Sequence, residues 1–144
     1  MKPQYIIIHH SWTEDGISLD TPAIKRYHTK TLGWSDIGYH YLLEKYFGEW
    51  QILKGRMDTD IGAHTKGFND KSIGICLVGN FDSHPPDNKA LTLLARLVRS
   101  LQEICDIPIK NVIGHRESYT LLGQPVIKTC PGEKFDMDKF RALL

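Results

Sequence analysis

The stretch YIIIHHS, residues 5–11, indicates how this chain folds. Its run of β-branched and aromatic residues, Tyr5 to Ile8, is typical of a strand that is buried on both faces of a sheet. A second buried-strand pattern, SIGICLVG, occupies residues 72–79, and a short strand is predicted at Val112 and Ile113. Continuous apolar strands of this kind belong to sheets whose two faces are covered by helices. The stretch therefore predicts an α/β fold.

Helices are predicted between these strands. One should begin at DTP, residues 20–22, because proline is favoured in a first turn, and should run to about Lys30. The longest should span Lys89 to Cys105, where leucine, alanine and valine recur at helical spacing along one apolar stripe. A closing helix is predicted for residues 136–144.

Two more strands are predicted at residues 38–44 and 51–53, with a turn at residues 47–50. Strands interleaved with helices predict one α/β domain over residues 1–144, with a mixed, mostly parallel central β-sheet flanked by helices. The chain has 144 residues, which is long enough to bury a core without disulfides or metals as staples. We find no internal repeat and no linker, so a second domain is not expected.

Composition excludes some classes of partner. The net charge is +1, and no basic run with interleaved aromatic residues occurs, so we expect no nucleic acid as partner. No apolar stretch has the length of a membrane span, so we expect no membrane insertion. The N-terminus turns polar too early for a signal peptide, so we expect the chain to be cytoplasmic as synthesised. Three widely spaced cysteines argue for reduced thiols rather than a disulfide framework.

Three metal-type side chains stand out. His9 and His115 each end a predicted strand, and Cys130 lies in the loop sequence KTCPG, residues 128–132. The carboxyl edge of an open α/β sheet is where ligands bind, so the two histidines are placed to meet there. Two imidazoles and a thiolate suit Zn²⁺, and three protein ligands leave the fourth tetrahedral position open, as in hydrolytic sites. Spacing alone leaves this prediction open, because an isolated histidine is more often a plain surface or core residue.

The order of seven short motifs is more specific. They are IIHHS (7–11), GYHY (38–41), GAHTKGFN (62–69), SIGI (72–75), VGNF (78–81), GHRE (114–117) and CPG (130–132). This ordered set resembles the zinc-dependent N-acetylmuramoyl-L-alanine amidases, the family that includes phage lysozyme-type amidases and peptidoglycan recognition proteins. The resemblance runs from about Ile6 to Phe135. It implies the fold of that family and a peptidoglycan-derived substrate.

The resemblance also implies roles for single residues. The zinc ligands of the family fall on His9, His115 and Cys130. The tyrosine that assists catalysis falls on Tyr39, and the lysine of the phage-type members falls on Lys128. His10 is then expected to point away from the site, whereas Cys76 and Cys105 fit buried, small apolar positions.

The implied reaction is hydrolysis of the amide between N-acetylmuramic acid and the L-alanine of the stem peptide. Tyr39 and Lys128 are each expected to donate a hydrogen bond to the negative charge that develops on the substrate. Tyr39 is our first choice for moving the proton, before Lys128 or a water shared with zinc. Glu117 is left open between catalysis and an ion pair involving its neighbour Arg116.

Substrate binding is expected to involve His64 and Asn80, which lie in motifs that resemble the family's groove. Hydrogen bonding within turns and loops is the alternative for both residues. Trp12 and Trp34 could offer flat surfaces to a glycan-peptide chain, although core packing or a plain surface role is the expected account of both.

Several functions remain open at this point. We expect a phage or prophage-type endolysin that acts as a monomer on peptidoglycan after release from the cytoplasm. One alternative is a cytoplasmic amidase that trims recycled muropeptides, and another is a peptidoglycan-binding module without activity. A purely structural zinc is disfavoured because a closed site would need a fourth protein ligand.

Overall fold

The computed structural model describes residues 1–14 and 20–144 and contains one five-stranded sheet, in the order β3-β2-β4-β1-β5. The strands are β1 (Tyr5–His10), β2 (Tyr41–Tyr46), β3 (Glu49–Lys54), β4 (Ser72–Leu77) and β5 (Val112–Gly114). β1 lies between β4 and β5 and is parallel to both, and β2 is parallel to β4. β3 runs antiparallel to β2 at the sheet edge. The predicted mixed, mostly parallel sheet is confirmed.

The helices are α1 (Asp20–Arg26), α2 (Asn88–Cys105), α3 (His115–Leu121) and α4 (Met137–Arg141). α1 continues into a π-helical turn at Tyr27–Thr31, so the predicted extent to about Lys30 is nearly right. α4 is shorter than predicted at both ends: Asp136 lies outside it as the N-cap and accepts two backbone N–H groups, and the helix ends at Arg141. Helix α3 was not predicted. Within residues 1–14 and 20–144, no helix combines the length and apolar character needed to cross a membrane.

The prediction of a strand from Gly38 was wrong at its start, since β2 begins at Tyr41. Gly38 approaches another segment closely, and a Cβ there would lie 2.3 Å from the carbonyl oxygen of Ala63. The register pairs Tyr41 with Ile75, so β2 starts partway along β4. Tyr39 therefore lies on the connection that precedes β2.

The two faces of the sheet differ: one carries the main hydrophobic core and the other carries the candidate site. One face packs against α2 and α4 and forms the main core, to which β1 contributes Ile6 and Ile8. The opposite face carries two smaller clusters, one around Ile7, Phe68 and Ile113 and one around Ile37, Leu42 and Cys76. Because side chains alternate along a strand, His9 shares the second face with Ile7. The functional side chains gather on that face.

Candidate metal centre and active site

Three ligand-type side chains from distant parts of the chain converge. His9 lies in β1, His115 is the first residue of α3 directly after β5, and Cys130 lies in the loop between α3 and α4. The parallel pairing of Ile8 with Gly114 sets the two histidines side by side, with ring centroids 4.7 Å apart. The ligand atoms of all three residues lie within 4.8 Å of one another.

The donor set fits a tetrahedral metal ion. Nδ1 of His9 lies 3.6 Å from Sγ of Cys130. A nitrogen and a sulfur bound to the same tetrahedral zinc ion are roughly 3.5 Å apart at the usual Zn–N and Zn–S distances. Two imidazoles and one sulfur are also the borderline-soft combination that zinc prefers. These three residues could hold such an ion.

The protonation states of the two histidines and the cysteine are compatible with metal binding. Burial lowers the pKa of His9 well below its ordinary value, and burial together with the charge of Lys128 lowers the pKa of His115 to about 4. Both imidazoles are therefore neutral near pH 7. Burial raises the pKa of Cys130 to about 12, although the backbone N–H of His10 opposes this shift. The thiol keeps its proton until a cation replaces it.

The second nitrogen of His9 faces the other way. Its Nε2 lies 3.0 Å from Nδ1 of His64 and 3.3 Å from Oγ1 of Thr65. His64 also lines the groove described below, and the substrate-binding role expected of it stays a prediction. The contact between His64 and His9 was not predicted, and 55 residues separate the two in sequence.

Tyr39 packs among the histidines of the site. Its ring lies 5.2 Å from that of His9, 5.6 Å from His28 and 6.4 Å from His64, between centroids. Burial raises the pKa of Tyr39 well above its ordinary value, and the neighbouring thiol of Cys76 adds to the shift. The phenol therefore stays protonated and can donate a hydrogen bond. Cys76 is buried, as expected of a small apolar residue, and lies beneath this tyrosine.

An open groove runs over the three ligand-type residues. It consists of two adjoining cavities of about 490 and 560 Å³. Lys128 is exposed on the rim and lines both cavities. The other residues that line both are Trp34, Ala63, His64, His115 and Ile127. Trp12 is 70% exposed and lines the smaller cavity, and Trp34 is 36% exposed, so neither tryptophan is a core residue.

Arg116 fastens the loop that carries Cys130, a role that was not predicted. Its guanidinium donates to the carbonyl oxygens of Thr129 (3.0 Å), Gly132 (2.5 Å) and Phe135 (2.7 Å). Its backbone N–H donates to the carbonyl oxygen of Cys130 itself, at 2.7 Å. The loop is thus held on both sides of the sulfur.

The remaining candidates lie in structural contacts. Glu117 forms an ion pair with Arg141, with two N–O distances of 3.0 Å, and accepts the backbone N–H of Gly114 at 2.7 Å. The ion pair that was considered for Glu117 therefore exists, but its partner is Arg141. Asn80 accepts the backbone N–H of Asp82 at 3.2 Å within a turn, and it is not among the residues that line the two cavities. His10 accepts the N–H of Phe81 at 3.2 Å, on the other side of β1 from His9.

Comparison with known proteins supports the resemblance. Residues 1–133 match the family model described as N-acetylmuramoyl-L-alanine amidase. The chain is 36% identical to the endolysin of Escherichia phage T7 over 77 residues, which is 54% of this chain and 48% of that protein. It is 31% identical to peptidoglycan-recognition protein 2 of Holotrichia diomphalia over 134 residues, which is 89% of this chain and 66% of that protein.

Among solved structures, the N-acetylmuramoyl-L-alanine amidase LysC from Clostridium intestinale has the same fold. The TM-score is 0.79 at 27% identity, and the match covers 98% of this chain and 84% of that one. The chain spans about half the length of the phage endolysin. With a family match over nearly all of its residues and a matching fold, this chain belongs to the N-acetylmuramoyl-L-alanine amidase family.

Proposed function

We propose that this protein is a zinc-dependent N-acetylmuramoyl-L-alanine amidase, built as one domain over residues 1–144. The reaction is hydrolysis of the amide between N-acetylmuramic acid and the L-alanine of the stem peptide. The observation that supports it best is the approach of His9, His115 and Cys130, with ligand atoms within 4.8 Å of one another beside an open groove. In the described part of the chain no fourth protein ligand joins this group, which favours a catalytic over a structural ion.

Tyr39 and Lys128 are the residues to which we assign the stabilisation of developing charge. A zinc ion, when bound, supplies a Lewis acid and a water molecule of lowered pKa. The phenol of Tyr39 is protonated and lies beside His9, so it can donate to the amide oxygen as negative charge builds there. The ammonium group of Lys128 offers a second donor from the groove rim. One such donor typically contributes about a hundred- to a thousand-fold in rate.

Proton transfer to the leaving amine is assigned first to Tyr39. Its pKa is raised by burial, so it holds a proton at neutral pH and can deliver it to a nitrogen of rising basicity. Lys128 is the second candidate. Glu117 is not used, because its carboxylate is engaged by Arg141 and by the N–H of Gly114.

The groove suits a glycan-peptide chain. Trp12 and Trp34 offer flat faces against which a sugar ring can pack. Lys66 and Lys128 add positive charge for the carboxylates of a stem peptide. We assign His64 to the groove wall, and we keep Asn80 as a candidate binding residue that acts through the turn it stabilises.

The biological setting we propose is that of an endolysin, synthesised in the cytoplasm and acting as a monomer on the cell wall after release. The similarity to the endolysin of phage T7 supports this choice. A recycling amidase would use the same chemistry on soluble muropeptides. A binding module would use the groove alone, and the similarity to a protein named for peptidoglycan recognition keeps that candidate in the test.

One experiment separates the three. The purified protein is incubated with polymeric peptidoglycan and, separately, with a soluble anhydro-muropeptide, and the products are identified by mass spectrometry. Release of free stem peptides from the polymer is expected. Release from the soluble fragment alone would indicate recycling. Tight binding to the polymer without any release, in a protein shown to contain zinc, would contradict the amidase proposal. The matched control is Cys130→Ala, which should release nothing from either substrate.

A further inference from the structure

We propose that His64 is a positioning residue for His9. In this proposal, the neutral imidazole of His64 accepts a hydrogen bond from the Nε2–H group of His9. This hydrogen bond fixes the tautomer of His9 and the orientation in which its ring presents Nδ1. The inference rests on the proposed metal site. It gives His64 a role that is distinct from contact with substrate.

The two nitrogens of His9 point to opposite sides. Nδ1 faces Sγ of Cys130 at 3.6 Å, whereas Nε2 faces His64 and Thr65. A nitrogen that binds a metal must have a free lone pair, so the proton of a neutral His9 has to be on Nε2. Nε2 is then a donor in a buried position, and it needs an acceptor.

Both available acceptors lead to the same state of His64. In one arrangement, Nε2–H of His9 donates directly to Nδ1 of His64 at 3.0 Å. In the other, it donates to Oγ1 of Thr65 at 3.3 Å, and that hydroxyl donates onward to Nδ1 of His64 at 3.1 Å. In either arrangement Nδ1 of His64 is an acceptor without a proton. The proton of His64 is therefore on its own Nε2.

Ser72 favours that tautomer. Its hydroxyl donates to the carbonyl oxygen of Phe68 at 2.7 Å, which leaves Oγ free to accept. Nε2 of His64 lies 3.4 Å from this oxygen. The hydrogen bonds thus run in one direction, from His9 through His64 and Ser72 to a backbone carbonyl. Ser72 is completely buried, so water does not compete for this position.

Close packing holds the ring of His64 in place. A Cβ atom on Gly74 would lie 2.6 Å from the imidazole, and a Cβ atom on Gly62 would lie 2.5 Å from it. The side chain of Asn69 accepts the backbone N–H groups of both His64 and Thr65 at 2.8 Å. The imidazole therefore lies in a slot that two glycines leave open.

The choice of an imidazole as partner has a chemical consequence. Metal-binding histidines often donate to a carboxylate, which adds negative charge close to the ligand. A neutral partner orients His9 without adding charge. Among the three ligand-type residues of the described chain, Cys130 would supply the negative charge, and a divalent ion without a further anion beside it would keep more of its strength as a Lewis acid.

Three substitutions at His64 test the proposal. Asn places an amide oxygen near the position of Nδ1, Gln places its polar atoms near Nε2, and Phe keeps a ring without an acceptor. Zinc affinity is measured by competition with a chromophoric chelator, and the absorption spectrum of the cobalt-substituted protein reports the ligand geometry. His64→Asn should bind zinc within about threefold of the unchanged protein and keep its cobalt spectrum. His64→Gln and His64→Phe should bind zinc about 10- to 100-fold more weakly.

The outcomes separate this inference from the proposed function. If the unchanged protein binds zinc and cleaves peptidoglycan while His64→Phe and His64→Gln bind zinc as tightly, the positioning role is overturned and the amidase proposal stands. A raised KM with unchanged zinc affinity would likewise overturn it, since that result indicates contact with substrate. Ser72→Ala removes the hydroxyl acceptor of Nε2 but keeps the backbone of Ser72 as a partner of His64, so it should weaken zinc binding less than His64→Phe does, and a loss larger than that of His64→Phe would count against the proposal. If the unchanged protein binds no zinc, the proposed function itself fails.

Discussion

Nδ1 of His9 and Sγ of Cys130 lie 3.6 Å apart, although 121 residues separate them in sequence. One atom belongs to β1, an interior strand of the sheet, and the other to a loop near the C-terminal end. No short segment of the chain contains both atoms. They come together only when β1 and the loop that carries Cys130 have both folded. Metal binding at such a site is coupled to the folding of the whole domain.

That coupling gives the first prediction. Cys130→Ala and His115→Ala should each abolish stoichiometric zinc binding and amidase activity. Zinc at a thousand-fold excess over its dissociation constant should stabilise the unchanged protein by about 4 kcal/mol and should not stabilise these variants. Metal analysis and thermal unfolding with and without zinc provide the measurements. Cys105→Ala is the matched control, since Cys105 lies at the end of α2, outside the groove, and should keep both properties. Zinc stabilisation of Cys130→Ala equal to that of the control would exclude the sulfur as a ligand.

The second prediction concerns Tyr39. Tyr39→Phe removes one hydroxyl and keeps the ring that packs against His9 and His28. Zinc affinity should change little, whereas kcat should fall about a hundred- to a thousand-fold, because a donor to the developing charge is lost. Steady-state kinetics on a soluble muropeptide and zinc titration measure the two quantities. Full activity in this variant would remove the phenol from the mechanism.

Parts of the site are visible in the sequence because their signals are local. His9 and His115 follow short apolar runs that form β1 and β5, and strands paired in parallel end at the same edge. Tyr39 was expected within a strand, since the segment from Gly38 to Glu44 is rich in aromatic and apolar residues. A close approach of Gly38 to Ala63 delays the start of β2, and no local pattern reports such a contact.

Other parts depend on contacts between distant segments. Helix α3 has seven residues, which is too short for a clear helical period, and it begins directly at His115. The partners of Arg116 are backbone carbonyls, which are present in every sequence and carry no signal. The contact of His64 with His9 arises because Gly74 leaves room above β4. The motif around His64 identifies this residue in the sequence, but no sequence pattern identifies His9 as its contact.

The third prediction follows from the role of Arg116. Arg116→Met keeps much of the aliphatic stem and removes the donors to Thr129, Gly132 and Phe135. Unfolding free energy should fall by about 3 kcal/mol, because hydrogen bonds from a charged donor are among the stronger ones. Zinc affinity should fall as well, since the loop around Cys130 is no longer held. Urea unfolding and zinc competition are the measurements. Arg99→Met is the control, because the side chain of Arg99 is exposed on α2 and donates to one carbonyl oxygen, that of Leu143. Equal losses in the two variants would show that Arg116 has no special role in the loop.

The fourth prediction separates structure from catalysis at Glu117. Glu117→Gln should leave kcat within about twofold of the unchanged enzyme. Its unfolding free energy should fall by about 1 kcal/mol, because Arg141 loses the charge of a half-buried partner. Kinetics and chemical denaturation on the same preparation give both values. A large drop in kcat with unchanged stability would reverse the assignment and make Glu117 part of the reaction.

The fifth prediction uses the buried imidazole of His40, which is distant in sequence from the three ligand residues. Its Nδ1 accepts the N–H of Gly74 at 3.0 Å, so Nε2 donates to the carbonyl oxygen of Asp60 at 3.1 Å. Protonation of His40 at Nδ1 would place its new N–H group against the N–H group of Gly74. Burial also lowers the pKa of His40 below its ordinary value of 6.5. Just below pH 6.5, His40 therefore binds a proton in the unfolded chain but not in the folded chain. The stability that His40 contributes is fully present above pH 6.5 and is lost as the pH falls towards the lowered pKa.

The expected slope in that window is up to about 1.4 kcal/mol per pH unit, which corresponds to one proton. His40→Asn keeps an acceptor for Gly74 but does not titrate, so it should be less stable near pH 7 and should show a flatter pH dependence below pH 6.5. Urea unfolding of both proteins is measured with a chelator present, so that loss of a bound metal contributes to neither curve. The other histidines cancel in the difference, and His64, whose lowered pKa of about 3 depends in part on the charge of His40, cancels when the comparison stays well above that pH. Parallel curves for the two proteins would show that His40 titrates alike in the folded and unfolded chains, which would contradict the hydrogen-bonded, neutral state described for it.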